Sequence, residues 1–312
     1  MLSRRNVRIK VMQMLYALGR DKSLGLPDVM RRYRDSISQS FELYLFYVLY
    51  FIRVVEYAEK DAEKRASRHR PTEGDKVFTP RLAQNRLMES LRQNEGLTRL
   101  FKLYRLNDKV DEDLVRTLYQ DFAKQEAYKA YLLLEAPGHD DHAGQLLELL
   151  RQCLNSETLQ DAIEDHYPNR TDDESLVVGA MKKTIKALPV DPLFYEEYRP
   201  PAEATTEFGE KLLRMVHEED TALLQIIEPA LKNWDAERVA ILDMILLKMA
   251  LCELLHFPSI PAKVTLNEFV EISKLYSTEK SKDFINGILD RLMKKLDAEG
   301  KIKKEGRGLV EE

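Results

Sequence analysis

The stretch from about Ala236 to His256 places the tightest constraint on the fold. Val239, Ile241, Leu242, Met244, Ile245, Leu246, Leu247, Met249, Leu251, Leu254 and Leu255 leave no side of a helix polar. A helix apolar all round is stable in water only when other elements surround it. Asp243, Lys248 and Glu253 interrupt the run, which argues against a membrane span, and any of them carried inside needs a partner. Asn233 or Asp235 is placed to cap its start. The expected architecture is therefore all-α, a helical bundle assembled around this segment.

The remaining sequence supports that class. Gly and Pro number only 12 each in 312 residues, so helix is favoured throughout. Val7, Val11, Met14, Leu15 and Leu18 form one apolar stripe on a first helix running from about Arg4 to Leu18. Arg4, Arg5 and Arg8 lie beside the stripe, so that helix is expected to dock while holding its arginines in the open. A long aromatic-rich helix over about Pro27–Arg70 follows, broken by Pro71, Gly74 and Pro80. Helical stretches resume near 81–94, 97–106, 111–134, 143–154 and 173–188, and a linker carries Pro189, Pro192, Pro200 and Pro201. Past the linker, Phe208–His217 and Ala222–Leu231 are amphipathic. Thr265 and Glu268 have capping-box spacing. Ile285, Ile288, Leu289, Leu292 and Leu296 share one stripe of a last helix, with Phe284 about 100° from its centre. Gly287 costs that helix about 1 kcal/mol relative to alanine, which suggests another backbone approaching closely.

Net charge is −5, yet the first 34 residues carry nine cations against Asp21 and Asp28. Such an end is either a solvated helix face or a local electrostatic footprint for a polyanion. Cys153 and Cys252 sit far apart inside apolar patterns and read as buried thiols of a reducing compartment. The polar, basic start predicts no secretory leader, and the apolar run Leu43–Ile52 is too short to span a bilayer. A cytoplasmic protein without membrane contact is expected.

RNA-binding proteins grip phosphate with cations, stack splayed bases on aromatic rings and use helix N-termini to receive anions. Arg4, Arg5, Arg8 and Lys10 supply charge at one end of the chain. Lys280, Ser281 and Lys282 open the last helix at the other, with Phe284 available to stack. If the first and last helices lie side by side, these groups form one patch. Phe284 can equally be a core residue at the edge of its stripe.

Three segments carry a family resemblance. They are Ser3-Arg4-Arg5-Asn6-Val7-Arg8-Ile9-Lys10-Val11-Met12-Gln13-Met14-Leu15-Tyr16, the Pro-bounded Phe257–Glu268, and Ser281-Lys282-Asp283-Phe284-Ile285-Asn286-Gly287-Ile288-Leu289-Asp290. The sequence resembles the NusB transcription-antitermination family over about residues 3–18 and 205–297. The resemblance implies a small all-helical, non-catalytic core that binds single-stranded boxA-type RNA together with the NusE ribosomal protein, within a transcription elongation complex. Carried over by motif position, it implies RNA contacts at Arg4, Arg5, Arg8, Gln13, Lys280, Ser281 and Phe284, and NusE contacts at Tyr16 and Asp243. The sequence departs from the family pattern at Asn6 (arginine expected), Ile9 (polar), Met244 (arginine), Cys252 (tyrosine) and Lys280 (acidic). Asn6 weakens the RNA case and Lys280 partly offsets it. The larger departure is the length between the matching parts. The expected organisation is a first core helix over 1–20, a helical insertion over 21–202, the rest of the core over 203–298, and a flexible tail over 299–312.

Three readings follow: an RNA-binding antitermination factor, a protein–protein adaptor whose insertion recruits another partner, and a metal-dependent hydrolase. The last rests on His139-Asp140-Asp141-His142, whose side chains are of metal-ligating type but so close in sequence that a solvated turn competes. His217 lacks a second histidine four residues on, and no phosphate-binding loop, nucleophile elbow or Cys-x-x-Cys occurs. A NusB-like domain also opens some RNA cytosine methyltransferases, and the short stretch beyond residue 297 leads us to expect no such catalytic domain. Neither cofactor nor metal is expected.

Overall fold

The computed structural model of the chain describes residues 2–168, 170–231 and 239–309; the caps expected at Asn233 and Asp235 lie outside them. All regular structure among the described residues is helical. The chain forms two compact units, Leu2–Ile37 with Pro200 onward, and Ser38–Arg199. Residues 21–37, expected in the insertion, thus belong with the first helix.

In the terminal unit the central helix, Ile241–His256, is surrounded as its composition requires. Its neighbours are the first helix (Arg4–Arg20), Lys211–Glu218, Asp220–Leu231, the penultimate helix (Ala262–Tyr276) and the last α-helix (Ser281–Ala298). Ser3 caps the first helix, accepting from the Asn6 N–H while the Asn6 side chain accepts from the Ser3 N–H. Asn6, which stands where the family pattern has arginine, therefore closes a capping box.

A π-helical turn, Glu203–Glu210, leads into Lys211–Glu218. Gly209 on this turn is required by packing. A Cβ there would overlap the Tyr33 hydroxyl and stand 2.5 Å from Val7 Cγ1. The Tyr33 hydroxyl also donates to the Thr205 carbonyl at 2.9 Å. Gly209→Ala is expected to lower unfolding free energy by about 1–3 kcal/mol, because neither Tyr33 nor Val7 can move without disturbing its buried packing. Chemical denaturation checks this; an unchanged midpoint would mean the three elements are loosely packed.

The capping box expected at Thr265 and Glu268 does not form. Pro261, whose fixed φ suits helix entry, precedes a helix already begun at Ala262. Thr265 is consequently inside the helix and buried, free to bond across to the central helix. The close backbone approach expected at Gly287 is also absent, since a Cβ there would meet nothing within 4 Å. Residues 299–309, expected as a loose tail, are instead built against the core. Gly300, at φ +64°, reverses the chain, and the Lys301 N–H bonds the Leu296 carbonyl at 2.9 Å. That 6→1 bond after a left-handed glycine is a Schellman-type helix stop.

The middle unit has its own core, rich in aromatic residues. The long second helix, Leu26–Ala66, buries Leu43–Ile52 on every side there, among rings that include Tyr167 and Tyr198. Its buried hydroxyls find partners: Ser40 donates to Asp173 at 2.6 Å, and Tyr44 meets the Thr184 hydroxyl at 2.7 Å. No described helix is long and apolar enough to cross a membrane.

Candidate nucleic-acid interface

Each ionic interruption of the central helix has a partner. Lys248 reaches Asp220 at 2.6 Å, and the other two organise the two ends of the candidate site.

At the C-terminal end, Arg8 grips Glu253 through two parallel bonds of 2.7 Å, Nε to Oε2 and Nη2 to Oε1. Both side chains are sealed, at 2% and 0% exposure. The Thr265 hydroxyl donates to Glu253 Oε1 at 2.7 Å, and Arg8 Nη1 lies 3.6 Å from Glu268. The guanidinium carbon stands 5.1 Å from the Phe208 ring centre and 5.7 Å from that of Phe269. Arg8, expected in the open beside the apolar stripe, is therefore an interior residue. The carboxylate of the central helix draws it in, because an unpaired Glu253 there would be far costlier. Lys10 is also buried, at 3% exposure, rather than available to a ligand.

Arg4 and Arg5 remain at the surface. Arg4 Nη2 pairs with Glu203 at 2.8 Å, and Arg5 binds Glu268 through two bonds of 2.8 and 2.6 Å. Burial pushes the Glu268 carboxyl up, but the Arg5 hydrogen bond and the charges of Arg8 and Arg5 outweigh it and leave the group below its ordinary value. A carboxyl depressed by folding stabilises above its unfolded pKa, and the gain is lost as pH falls through the folded value. Melting temperature is therefore expected to drop on acidification below the ordinary glutamate range, and less steeply in Glu268→Gln. Parallel curves for the two proteins would refute the link.

At the N-terminal end of the central helix, Asp243 is buried. Ser277 and Ser281 donate to its two oxygens at 2.6 and 2.8 Å, and the Thr278 hydroxyl lies 2.8 Å from Ser281. Direct contacts were expected of both side chains, and both lie in the interior. Asp243 is not presented to a partner, and the Ser281 hydroxyl is not presented to RNA, because each satisfies the other in the interior. Together they fix the loop that starts the last α-helix. Lys280 and Lys282 are exposed there and Phe284 is half-buried. Lys280, Phe284, Gly287 and Arg291 line a cleft of about 610 Å³. The unencumbered Gly287 keeps that cleft open. Gln13 is half-buried and Tyr16 is exposed on the first helix.

The two ends are not one patch. Arg8 meets the central helix at Glu253 and Ser281 meets it at Asp243, about 15 Å apart along the axis. The spacing leaves a cationic end and an aromatic end joined by the penultimate and last α-helices. Glu253, Thr265, Glu268 and the two phenylalanines escaped the sequence reading as partners of the arginines. The available signal was a carboxylate inside an otherwise apolar helix.

The metal reading gains no support from the geometry. His142 Nδ1 bonds the Tyr131 hydroxyl at 2.7 Å, and Asp141 accepts from the Gly138 N–H at 2.8 Å as a helix cap. Among the described residues no three His, Cys, Asp or Glu side chains group as ligands.

A model described as the NusB family matches residues 145–294, beginning within the middle unit and leaving out the first helix. A transcription antitermination protein NusB from Salinibacter ruber is 40% identical over 107 residues, covering 34% of this chain and 67% of that protein. The protein of the same name from Geobacter sulfurreducens is 40% identical over 115 residues, 37% of this chain and 83% of its own. That from Chloroherpeton thalassium is 46% identical over 79 residues, 25% of this chain and 37% of its own. No solved structure matches the chain.

Proposed function

The chain belongs to the NusB family of transcription antitermination proteins, and from that membership we propose that it binds single-stranded boxA-type RNA. It acts without catalysis, alongside the NusE ribosomal protein in a transcription elongation complex. The observation that carries this reading is the cleft at the start of the last α-helix, lined by exposed Lys280, by Phe284 and by Arg291, with Lys282 exposed on the same first turn. Exposed cations hold phosphates, and aromatic side chains at a cleft are the groups on which unstacked bases pack. Arg4 and Arg5 contribute charge farther along, so the ligand is an extended strand rather than a single nucleotide. Their pairing with Glu203 and Glu268 keeps both side chains pre-oriented, and at Arg4 phosphate exchanges for the exposed Glu203 carboxylate at modest cost.

Buried Asp243 supports the NusE contact only indirectly, by fixing the loop, whereas Tyr16 faces solvent at 39% exposure. Filter binding with boxA-type RNA, with and without NusE, tests the proposal. Absence of salt-dependent binding under both conditions would sink it.

The adaptor reading keeps one specific support: residues 38–199 form a compact unit with their own core. Capture of a partner by the full chain, insensitive to changes at Phe284, would favour it.

A further inference from the structure

The segment after the last α-helix lies beyond the family match, which ends at residue 294. Its docking is specific. The Glu305 N–H bonds the Pro258 carbonyl at 3.0 Å, and the Lys304 ammonium bonds the Phe257 carbonyl at 3.1 Å. Burial holds the Lys304 pKa below the ordinary lysine value. Gly308 fits so closely that a Cβ would collide with the Pro258 carbonyl oxygen. Gly306 turns the segment with φ +54°.

Seated this way, the segment brings Lys303 to a cleft of about 580 Å³ lined also by Lys263, Lys294 and Lys304, with Asp297 the acid among its lining residues. Lys263 and Lys303 are exposed, and neither makes an ion pair among the described residues. Lys294 is held by Asp290 at 2.7 Å. Pro261 belongs to this cleft and also to a second, of about 360 Å³, lined by Arg4 and Arg5. The two clefts therefore adjoin at the start of the penultimate helix, whose first turn adds partial positive charge.

We propose that residues 301–309 extend the RNA surface, with Lys263 and Lys303 holding the phosphodiester backbone of the strand that Arg4 and Arg5 engage. This inference rests on the RNA-binding reading above. The cleft offers ammonium groups and no exposed ring, so it adds affinity without reading bases.

The test is the salt dependence of filter binding to single-stranded RNA of mixed sequence, with the full chain, Lys263→Gln/Lys303→Gln, and Gly308→Val. Removing one cation from a single-stranded phosphate flattens the log–log slope by about 0.7, so the double variant should flatten it by about 1.4. Gly308→Val should flatten it by about 0.7, because undocking the segment withdraws Lys303 while Lys263 stays on the penultimate helix. Wild-type binding with slopes unchanged in both variants overturns this inference alone. Absence of wild-type binding at any salt removes the RNA reading, and this proposal with it.

Discussion

Replacing Arg8 with alanine is expected to destabilise the terminal unit by about 3–5 kcal/mol, the usual consequence of stranding one member of a buried ion pair. Among the described residues Glu253 would then keep only the Thr265 hydroxyl as a close donor, in a buried site. Denaturant unfolding reads the effect directly. A compensating pair, Arg8→Met with Glu253→Leu, should recover most of the loss, because apolar side chains of similar volume commonly replace a buried pair without penalty. A different pattern would contradict the structural role: Arg8→Ala unfolding like wild type while RNA affinity collapses. Arg8 would then be a ligand contact, as the family resemblance first implied.

Replacing Phe284 with alanine is expected to weaken RNA binding by about 1–3 kcal/mol, the range for losing one aromatic stacking platform. That corresponds to about five- to 150-fold in affinity. Stability should change less, because the ring is only half-buried. The salt slope distinguishes this contact from its neighbours. Phe284→Ala should leave the slope unchanged, since a neutral ring releases no counterions, whereas Lys280→Ala with Lys282→Ala should flatten it by about 1.4. Leucine at 284 separates stacking from simple bulk, as it keeps apolar volume and removes the flat face. If Phe284→Leu and Phe284→Ala both bind like wild type, the cleft is not where bases are held.

The helical class was legible in local pattern, because a 3.6-residue period written in apolar residues states which side of each helix seeks cover. The central helix illustrates how far that goes. Its all-round apolar composition predicted its place, and its three charges predicted partners. Two boundary readings failed for local reasons. Pro261 started the penultimate helix before Thr265, and Gly300 turned the supposed tail back onto Phe257 and Pro258. Chain sections such as 111–134 also resolve into two helices, Glu112–Ala123 and Glu126–Leu133, with no proline or glycine to announce the break.

The site was less legible. Arg4, Arg5 and Arg8 are alike in sequence, and nothing within the first helix says which of them will be covered. That decision is made by Glu253, 245 residues away, and by the rings of Phe208 and Phe269. Ser281 and Asp243 were separated in the same fashion from the lysines and the ring beside them. Composition and period alone set the helices, the buried segment at their centre and the family motifs at either end. The folded chain alone assigned each charge to the interior or the surface, because ion pairing depends on distance in space, and helical periodicity carries no information about which distant carboxylate will lie opposite.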